Sequence, residues 1–154
     1  MIQRVMPRQP HIPTHRAGEP HTRKRQAPSH VRPTVLIVDD DTSIVELLAE
    51  VLDDAGYEVW TAANGYAALR LSKLIHPELV LTDYTMPELN GTQLVRELRR
   101  YRATRNIPVV LMSATRPSRD ELRGMPFLAK PFDLDEVIEI VAQQVDATAD
   151  ETTA

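Results

Sequence analysis

The chain of 154 residues carries a formal net charge of -4, with 42% hydrophobic and 26% charged residues, a composition that suits one globular domain with a buried core. The absence of cysteine excludes disulfides, zinc–thiolate sites and thiol catalysis. No apolar run approaches the ~18 residues of a membrane span and no secretory signal opens the chain, so we expect a cytoplasmic protein without a membrane span.

Residues 1–33 differ in composition from the rest of the chain. They hold six of the twelve prolines, four of the five histidines and seven basic residues against one glutamate. Because such a segment cannot bury enough apolar surface to offset its ordering entropy, we predict a disordered basic arm. We favour an inert extension or a misassigned start codon over an anion-binding tail at Arg23, Lys24 and Arg25 or a metal-binding histidine tract.

Residues 34–154 carry 21 acidic and 11 basic residues, which argues against specific nucleic-acid binding. From Thr34 onward, strand-like and helical patterns alternate. A short, continuously apolar and β-branched run, typical of a strand buried on both faces, occurs at residues 35–38, and further strands are predicted at residues 57–62, 79–81, 108–112 and 125–129. A helical pattern follows each run: apolar residues at helical spacing over residues 44–55, 67–75, 94–101 and 134–145, and a capping-box pattern alone over residues 118–123.

Start and stop signals bound the first three helices. A capping-box pattern, Ser43-x-x-Glu46, opens the first helix and Gly56 ends it, while the second helix ends before Pro77. The third helix begins at Gly91 or Thr92. Its spacing directs four residues toward the core, namely Leu94, Val95, Leu98 and Tyr101.

The last two helices differ in length. The pattern Ser118-x-x-Glu121 opens the fourth helix, but Gly124 ends it after little more than a turn. The fifth helix has an apolar face that continues to Val145. We therefore expect one domain over residues 34–145, followed by a polar tail over residues 146–154.

Five strands alternating with five helices predict an α/β fold. Its sheet should be parallel with helices on both faces, because right-handed crossovers must cover it. Ligand sites in such sheets lie at the carboxyl ends of the strands. Five polar residues stand at the carboxyl ends of the predicted strands: Asp39, Asp40, Asp83, Ser113 and Lys130. We expect these residues to converge on one edge of the sheet.

The residue types at that edge suit phosphoryl chemistry. Neighbouring carboxylates raise one another's pKa values unless a cation relieves their repulsion, and Mg²⁺ prefers carboxylates, a backbone carbonyl and water. A carboxylate beside such a metal can attack a phosphoryl group and form an acyl phosphate. Lys130 can then neutralise the phosphoryl oxygens, and Ser113 can donate a hydrogen bond.

Four motifs, in this order along the chain, resemble those of the receiver domain of two-component response regulators. They are Asp39-Asp40-Asp41, Thr82-Asp83-Tyr84-Thr85-Met86-Pro87 with Gly91, Ser113-Ala114, and Lys130-Pro131-Phe132. The resemblance extends from Thr34 to about Val145. It implies a flavodoxin-like receiver fold, a (βα)5 doubly wound parallel sheet of five strands in the order 2-1-3-4-5.

The resemblance also implies roles for individual residues. Asp83 would accept a phosphoryl group from a sensor histidine kinase or phosphotransfer protein. Mg²⁺ would be held by Asp40, Asp83 and the Thr85 carbonyl, with Asp39 acting through water and Asp41 serving as a helix cap. Three further roles, switch hydroxyl, switch aromatic and phosphate-binding lysine, fall to Ser113, Phe127 and Lys130 respectively.

The short fourth helix departs from the family pattern. In relatives the face of the fourth helix, fifth strand and fifth helix meets partners, so we expect output through another surface or a weaker local switch. The sequence predicts no output domain, because neither residues 1–33 nor residues 146–154 can fold, and the signal must act through a downstream protein. The oligomeric state is left open.

Two other functions remain as alternatives. A pseudo-receiver would keep the fold and bind partners without phosphorylation. An enzyme is less favoured: Asp39-x-Asp41-x-Ser43 resembles the nucleophile motif of haloacid-dehalogenase-type phosphatases, with Asp39 as nucleophile and Asp41 as general acid, but the sequence lacks their later acidic pair and cap domain. We therefore expect no enzymatic activity beyond self-phosphorylation and self-dephosphorylation of Asp83.

Overall fold

A computed structural model describes residues 2–5 and 31–152. Within these ranges the chain forms six strands, at Ile2–Arg4 (β1), Thr34–Val38 (β2), Glu58–Ala62 (β3), Leu79–Asp83 (β4), Val109–Ser113 (β5) and Phe127–Ala129 (β6). Five helices accompany them, at Thr42–Asp54 (α1), Gly65–Ile75 (α2), Gly91–Arg100 (α3), Arg119–Leu122 (α4) and Leu134–Thr152 (α5). None of these helices combines the length and the apolar character needed to cross a bilayer.

The strands form one sheet in the order β1-β3-β2-β4-β5-β6. From β3 to β6 all neighbouring strands are parallel, and their order is the predicted 2-1-3-4-5 order of a doubly wound sheet. The predicted fold class, including the shortened fourth helix, is therefore confirmed. β1 is antiparallel to β3 and extends that edge of the sheet.

Strand β2 shows why the sheet is covered on both faces. Leu36 and Val38 belong to the core that α2 and α3 cover, whereas Val35 and Ile37 belong to the core that α1 and α5 cover. All four residues are 0% exposed, as expected of a strand between two helical layers. With both faces covered, only the ends of the strands are left for a ligand site.

The sequence pattern does not predict β1, because three residues are too few to show strand alternation. The Thr61 hydroxyl of β3 donates to the Gln3 carbonyl at 3.3 Å. Arg4 lies 3.2 Å from Glu58 and 5.8 Å from the centroid of the Trp60 ring. The first residues of the predicted disordered arm are thus paired with the sheet edge.

The predicted segment boundaries differ from the structure at both ends. Residues 6–30, which contain the basic triplet of the predicted arm, lie outside the described residues. At the other end α5 continues to Thr152, so most of the predicted polar tail extends the last helix. The sequence marks only where the apolar face of the helix ends, and polar residues can continue a helix in solvent.

Two predictions about helix ends are wrong. Asp41, not Ser43, caps α1: its carboxylate accepts from the Ser43 and Ile44 N–H groups at 3.0 and 3.4 Å. The capping-box prediction at Ser43 is therefore wrong, whereas the role of helix cap that the family resemblance implies for Asp41 is confirmed. Helix α3 ends at Arg100, and Tyr101 leaves it in an extended conformation and is 40% exposed rather than buried.

Candidate functional site

The carboxyl ends of four neighbouring strands meet at one edge of the sheet. The register sets Val38 beside Thr82 and Ser113 beside Ala129, so residues that end or follow these strands are neighbours in space. All five residues predicted to converge lie along this edge: Asp39, Asp40, Asp83, Ser113 and Lys130.

Three carboxylates gather at the centre of the edge. One oxygen from each of Asp39, Asp40 and Asp83 lies within 4.8 Å of the others. Asp39 and Asp83 are buried, at 2% and 7% exposed, whereas Asp40 is exposed. Like charges this close repel strongly where water is partly excluded, so the cluster favours a cation.

Lys130 supplies one positive charge from the chain itself. Its Nζ donates to Asp39 Oδ2 at 2.9 Å and to Asp83 Oδ1 at 3.0 Å, and its side chain is only 17% exposed. One ammonium group faces three carboxylates, so the edge remains negative.

The pKa values of the buried pair reflect this balance. Burial raises the pKa of Asp83, and the charges of Asp39 and Asp40 act in the same direction, against the hydrogen bond from Lys130. Burial alone would lower the pKa of Lys130, but the hydrogen bonds to Asp39 and Asp83 and the negative charges of these two carboxylates together outweigh burial and raise it. Lys130 is therefore charged at neutral pH, and the Asp83 carboxylate is more basic than an exposed one.

The donors at this edge fit a hard divalent cation. All three clustered side chains offer carboxylate oxygens, which Mg²⁺ prefers. Both oxygens of Asp39 already accept hydrogen bonds, one from Lys130 and one from the Asp41 N–H at 2.9 Å. Thr85, the fourth predicted ligand, lies in the exposed loop after Asp83.

The exposed side of the cluster borders a cavity of about 620 Å³ between α1 and β1. Asp39 and Asp40 line one end of this cavity, and Val45, Ala49 and Arg4 contribute to its sides. Among the described residues, this cavity leaves the side of the cluster at Asp40 open.

The predicted switch residues lie on adjacent strands beside the acids. Ser113 is 2% exposed, and its hydroxyl belongs to a local turn: Oγ accepts from the Thr115 N–H at 3.1 Å and lies 3.3 Å from the Thr115 hydroxyl. Phe127 is half-buried and packs against the core under α2 and α3. The Ser113 oxygen accepts from the Thr115 N–H, and a hydroxyl can donate a second hydrogen bond at the same time.

One contact that the sequence does not predict joins the site to α4. Tyr84, the residue after Asp83, donates its hydroxyl to Glu121 Oε1 at 2.6 Å. From the sequence, Glu121 is recognisable only as a member of the capping box with Ser118, which the structure contains. The two partners are 37 positions apart, and no local pattern signals a pair at that separation.

Gly91 sets how closely α3 approaches the strand that ends in Asp83. A Cβ at Gly91 would lie 2.5 Å from the Asp83 carbonyl oxygen and 3.0 Å from a Leu111 methyl group. The absence of a side chain at this position is therefore what allows the close approach.

Gly91→Ala should force α3 away from β4 and lower the free energy of unfolding by about 1–3 kcal/mol. Chemical denaturation measures this loss, with Arg96→Ala on the exposed face of α3 as a control expected within ~0.5 kcal/mol of wild type. Equal stability of Gly91→Ala and wild type would contradict the close contact.

Comparison with known families matches most of this chain to a single family. The family model of the response regulator receiver domain matches residues 35–142. The DNA-binding dual master transcriptional regulator RpaA of Synechocystis sp. is 33% identical over 111 residues, covering 69% of this chain and 46% of RpaA. The regulatory protein AtoC of Escherichia coli K12 is 39% identical over 112 residues, covering 70% of this chain and 24% of AtoC. The chain thus spans less than half the length of these two relatives.

Solved receiver domains have the same fold. The receiver domain of the Francisella response regulator 1452 superposes with a TM-score of 0.70 and 30% identity, covering 76% of this chain and 99% of that one. The receiver domain of the sensor histidine kinase PA1611 from Pseudomonas aeruginosa PAO1 superposes with a TM-score of 0.69 and 27% identity, covering 75% and 99%. In that structure a magnesium ion is coordinated in the active-site cleft.

Proposed function

Since this chain belongs to the response regulator receiver family, we propose that it is a phosphorylation-controlled signalling switch whose phosphoacceptor is Asp83. The position of Asp83 carries the proposal. It is a buried carboxylate at a strand end, hydrogen bonded to Lys130 and close to two further acids. Residues 34–145 form the proposed receiver unit.

The proposed donor is a phosphohistidine on a sensor histidine kinase or phosphotransfer protein. A carboxylate oxygen of Asp83 forms a bond to phosphorus while the phosphorus–nitrogen bond breaks, and the leaving imidazole keeps the electron pair and takes up a proton. The raised pKa of Asp83 makes its oxygen more nucleophilic than that of an exposed carboxylate. Lys130 offsets negative charge on the phosphoryl oxygens, because it already lies within hydrogen-bonding distance of Asp83.

The residues proposed to hold Mg²⁺ are Asp40, Asp83 and the Thr85 carbonyl, with Asp39 acting through water. When bound, the ion neutralises charge on the phosphoryl oxygens. The indirect role of Asp39 is supported by its two existing hydrogen bonds, from Lys130 and from the Asp41 N–H. Asp40 is exposed and is available for direct coordination.

Phosphorylation would act on the turn that holds Ser113. A phosphoryl group adds close to two negative charges and three acceptor oxygens, and the Ser113 hydroxyl can donate to one of them. Phe127, on the neighbouring strand, is the aromatic residue assigned to follow this movement. We propose that the altered surface is read by a downstream protein through protein–protein contact.

The same geometry disfavours a phosphatase that uses Asp39 as its nucleophile. Asp39 is 2% exposed, and each of its oxygens accepts a hydrogen bond at 2.9 Å. An attacking oxygen would have to break one of these bonds and reach a substrate from a buried position. Asp83 is less buried, at 7% exposed. Its hydrogen bond from Lys130 need not be lost on phosphorylation, because Lys130 can also bind the oxygens of a phosphoryl group on Asp83.

The proposed chemistry is tested with phosphoramidate, a small donor with a phosphorus–nitrogen bond, and Mg²⁺. Intact-mass spectrometry should show one added phosphoryl group on the wild type and none on Asp83→Asn, because the amide is not a nucleophile. A chelator should suppress the wild-type adduct, and Asp54→Asn, an exposed aspartate at the far end of α1, should react like wild type. An unmodified wild type would favour a pseudo-receiver, and a modified Asp83→Asn would point to another acceptor.

A further inference from the structure

The residue after the proposed phosphoacceptor is fixed at both its backbone and its side chain. The Tyr84 N–H donates to the Met112 carbonyl at 2.7 Å, and the Tyr84 carbonyl accepts from the Gly91 N–H at 3.0 Å. These bonds hold the backbone between β5 and the start of α3. From this fixed position the hydroxyl reaches Glu121 Oε1 at 2.6 Å.

Helix α4 depends on such contacts for its position. It has four residues, none of them buried, and isolated helices shorter than ~12–15 residues are marginal in water. Leu122 is half-buried against the core under α2 and α3. The other anchor is Glu121, whose Oε2 accepts from the Ser118 N–H at 2.8 Å and from the Ser118 hydroxyl at 2.7 Å.

Glu121 therefore serves two partners with its two oxygens. One oxygen closes the capping box of α4, and the other accepts from Tyr84. The bonds from Tyr84 and Ser118 lower the pKa of Glu121 to about 2, so it is ionised at neutral pH. Hydrogen bonds to an ionised acceptor are stronger than those between neutral groups.

The loop between β5 and α4 connects this contact to the switch hydroxyl. Only residues 114–117 separate Ser113 from Ser118, and Pro117 restricts the backbone among them. In the present arrangement the Ser113 hydroxyl is bonded to Thr115. If Ser113 moves toward a phosphoryl group on Asp83, the loop that is bonded to it through Thr115 is displaced as well, and the displacement reaches the cap that contains Glu121.

We propose that the hydrogen bond between Tyr84 and Glu121 is a latch that stabilises the unphosphorylated arrangement of the β5–α4 loop. The inference rests on the proposed function of Asp83 and names how that site is regulated. The latch and the phosphoryl group favour different arrangements, so each weakens the other by the same factor. Tyr84 thereby couples the phosphoacceptor directly to α4, which has only four residues.

Thermodynamic linkage predicts that breaking the latch raises the affinity for a phosphoryl mimic. A ligand that mimics the phosphoryl group binds the activated arrangement better, and its apparent affinity rises when the competing arrangement loses stability. Tyr84→Phe removes only the hydroxyl. It should bind beryllofluoride, a phosphoryl mimic, about three- to ten-fold more tightly than wild type in the presence of Mg²⁺. A merely structural role for Tyr84 would leave this affinity unchanged or lower it.

The test is a titration with beryllofluoride at fixed Mg²⁺, followed by fluorine NMR of the bound ligand. Glu121→Gln keeps a residue able to close the capping box but loses the charged acceptor, and it should also bind more tightly. Tyr66→Phe, at a tyrosine that is 56% exposed, is the matched control and should bind like wild type. The double variant Tyr84→Phe/Glu121→Gln should gain no more than the stronger single variant, because both remove one interaction.

Two outcomes overturn the latch: unchanged or weaker binding in Tyr84→Phe, or additive effects of the two substitutions. Failure of the wild type and every variant to bind beryllofluoride contradicts the proposed function instead. The two failures are distinguishable, because wild-type binding is measured in the same series. Denaturation curves recorded for each variant show that the compared proteins are folded.

Discussion

Replacing Lys130 with methionine should slow phosphorylation of Asp83 by about 100-fold or more, the loss typical of removing one preorganised charge from an active site. The Lys130 ammonium lies 2.9 Å from Asp39 and 3.0 Å from Asp83, so it is in place before the phosphoryl group arrives. Methionine retains much of the side-chain volume but neither the charge nor the donors. Phosphoramidate labelling followed over time by intact mass measures the rate.

The same substitution should destabilise the metal-free protein. Breaking a fully buried ion pair costs ~3–5 kcal/mol, and we expect about 2 kcal/mol here because the Lys130 side chain is 17% exposed. Mg²⁺ should raise the unfolding midpoint more for Lys130→Met than for wild type, because the ion replaces the missing positive charge. Lys73→Met, at a lysine that lies 3.4 Å from the centroid of the Tyr101 ring, is the matched control and should keep wild-type labelling. Labelling of Lys130→Met at the wild-type rate would show that Lys130 does not contribute to phosphorylation of Asp83.

Replacing Asp40 with asparagine should weaken Mg²⁺ binding by at least about 10-fold, since even the loss of groups that only orient metal ligands weakens binding by ~10–100-fold. Asp40 is the exposed member of the acidic cluster, so the substitution should leave the fold intact, and the loss of one repelling charge should not lower the stability of the metal-free protein. Titration calorimetry with Mg²⁺ measures the affinity, and labelling with phosphoramidate should recover at high Mg²⁺ concentration. Asp54→Asn again serves as the control. Unchanged Mg²⁺ affinity in Asp40→Asn would show that the ion is held elsewhere or by the other acids alone.

The architecture could be predicted because the apolar runs and the residues at which they stop are both visible in short stretches of sequence. Apolar runs such as residues 35–38 identify strands buried on both faces, and the residue at which each run stops identifies the carboxyl edge. The rule that parallel strands present their carboxyl ends together then brings Asp39, Asp83 and Lys130 to one place, although Lys130 and Asp39 are 91 positions apart.

What the sequence did not predict depends on contacts between distant residues or on competition between neighbours. The pairing of Ile2–Arg4 with Trp60 and its neighbours requires a partner more than fifty residues away. Asp41 and Ser43 are both good capping residues: the local pattern favours Ser43, the family resemblance favours Asp41, and the backbone path decides between them. The bond between Tyr84 and Glu121 likewise depends on where the β5–α4 loop places a four-residue helix.

The central claim is that the phosphoryl group is carried by Asp83. Borohydride reduction of the phosphorylated protein converts an aspartyl phosphate to homoserine, and peptide mass spectrometry then locates the reduced residue. We predict homoserine at position 83, in an amount that follows the phosphoryl adduct and disappears when Mg²⁺ is chelated. Homoserine at Asp39 or Asp40, or its absence from a fully phosphorylated sample, would contradict the assignment.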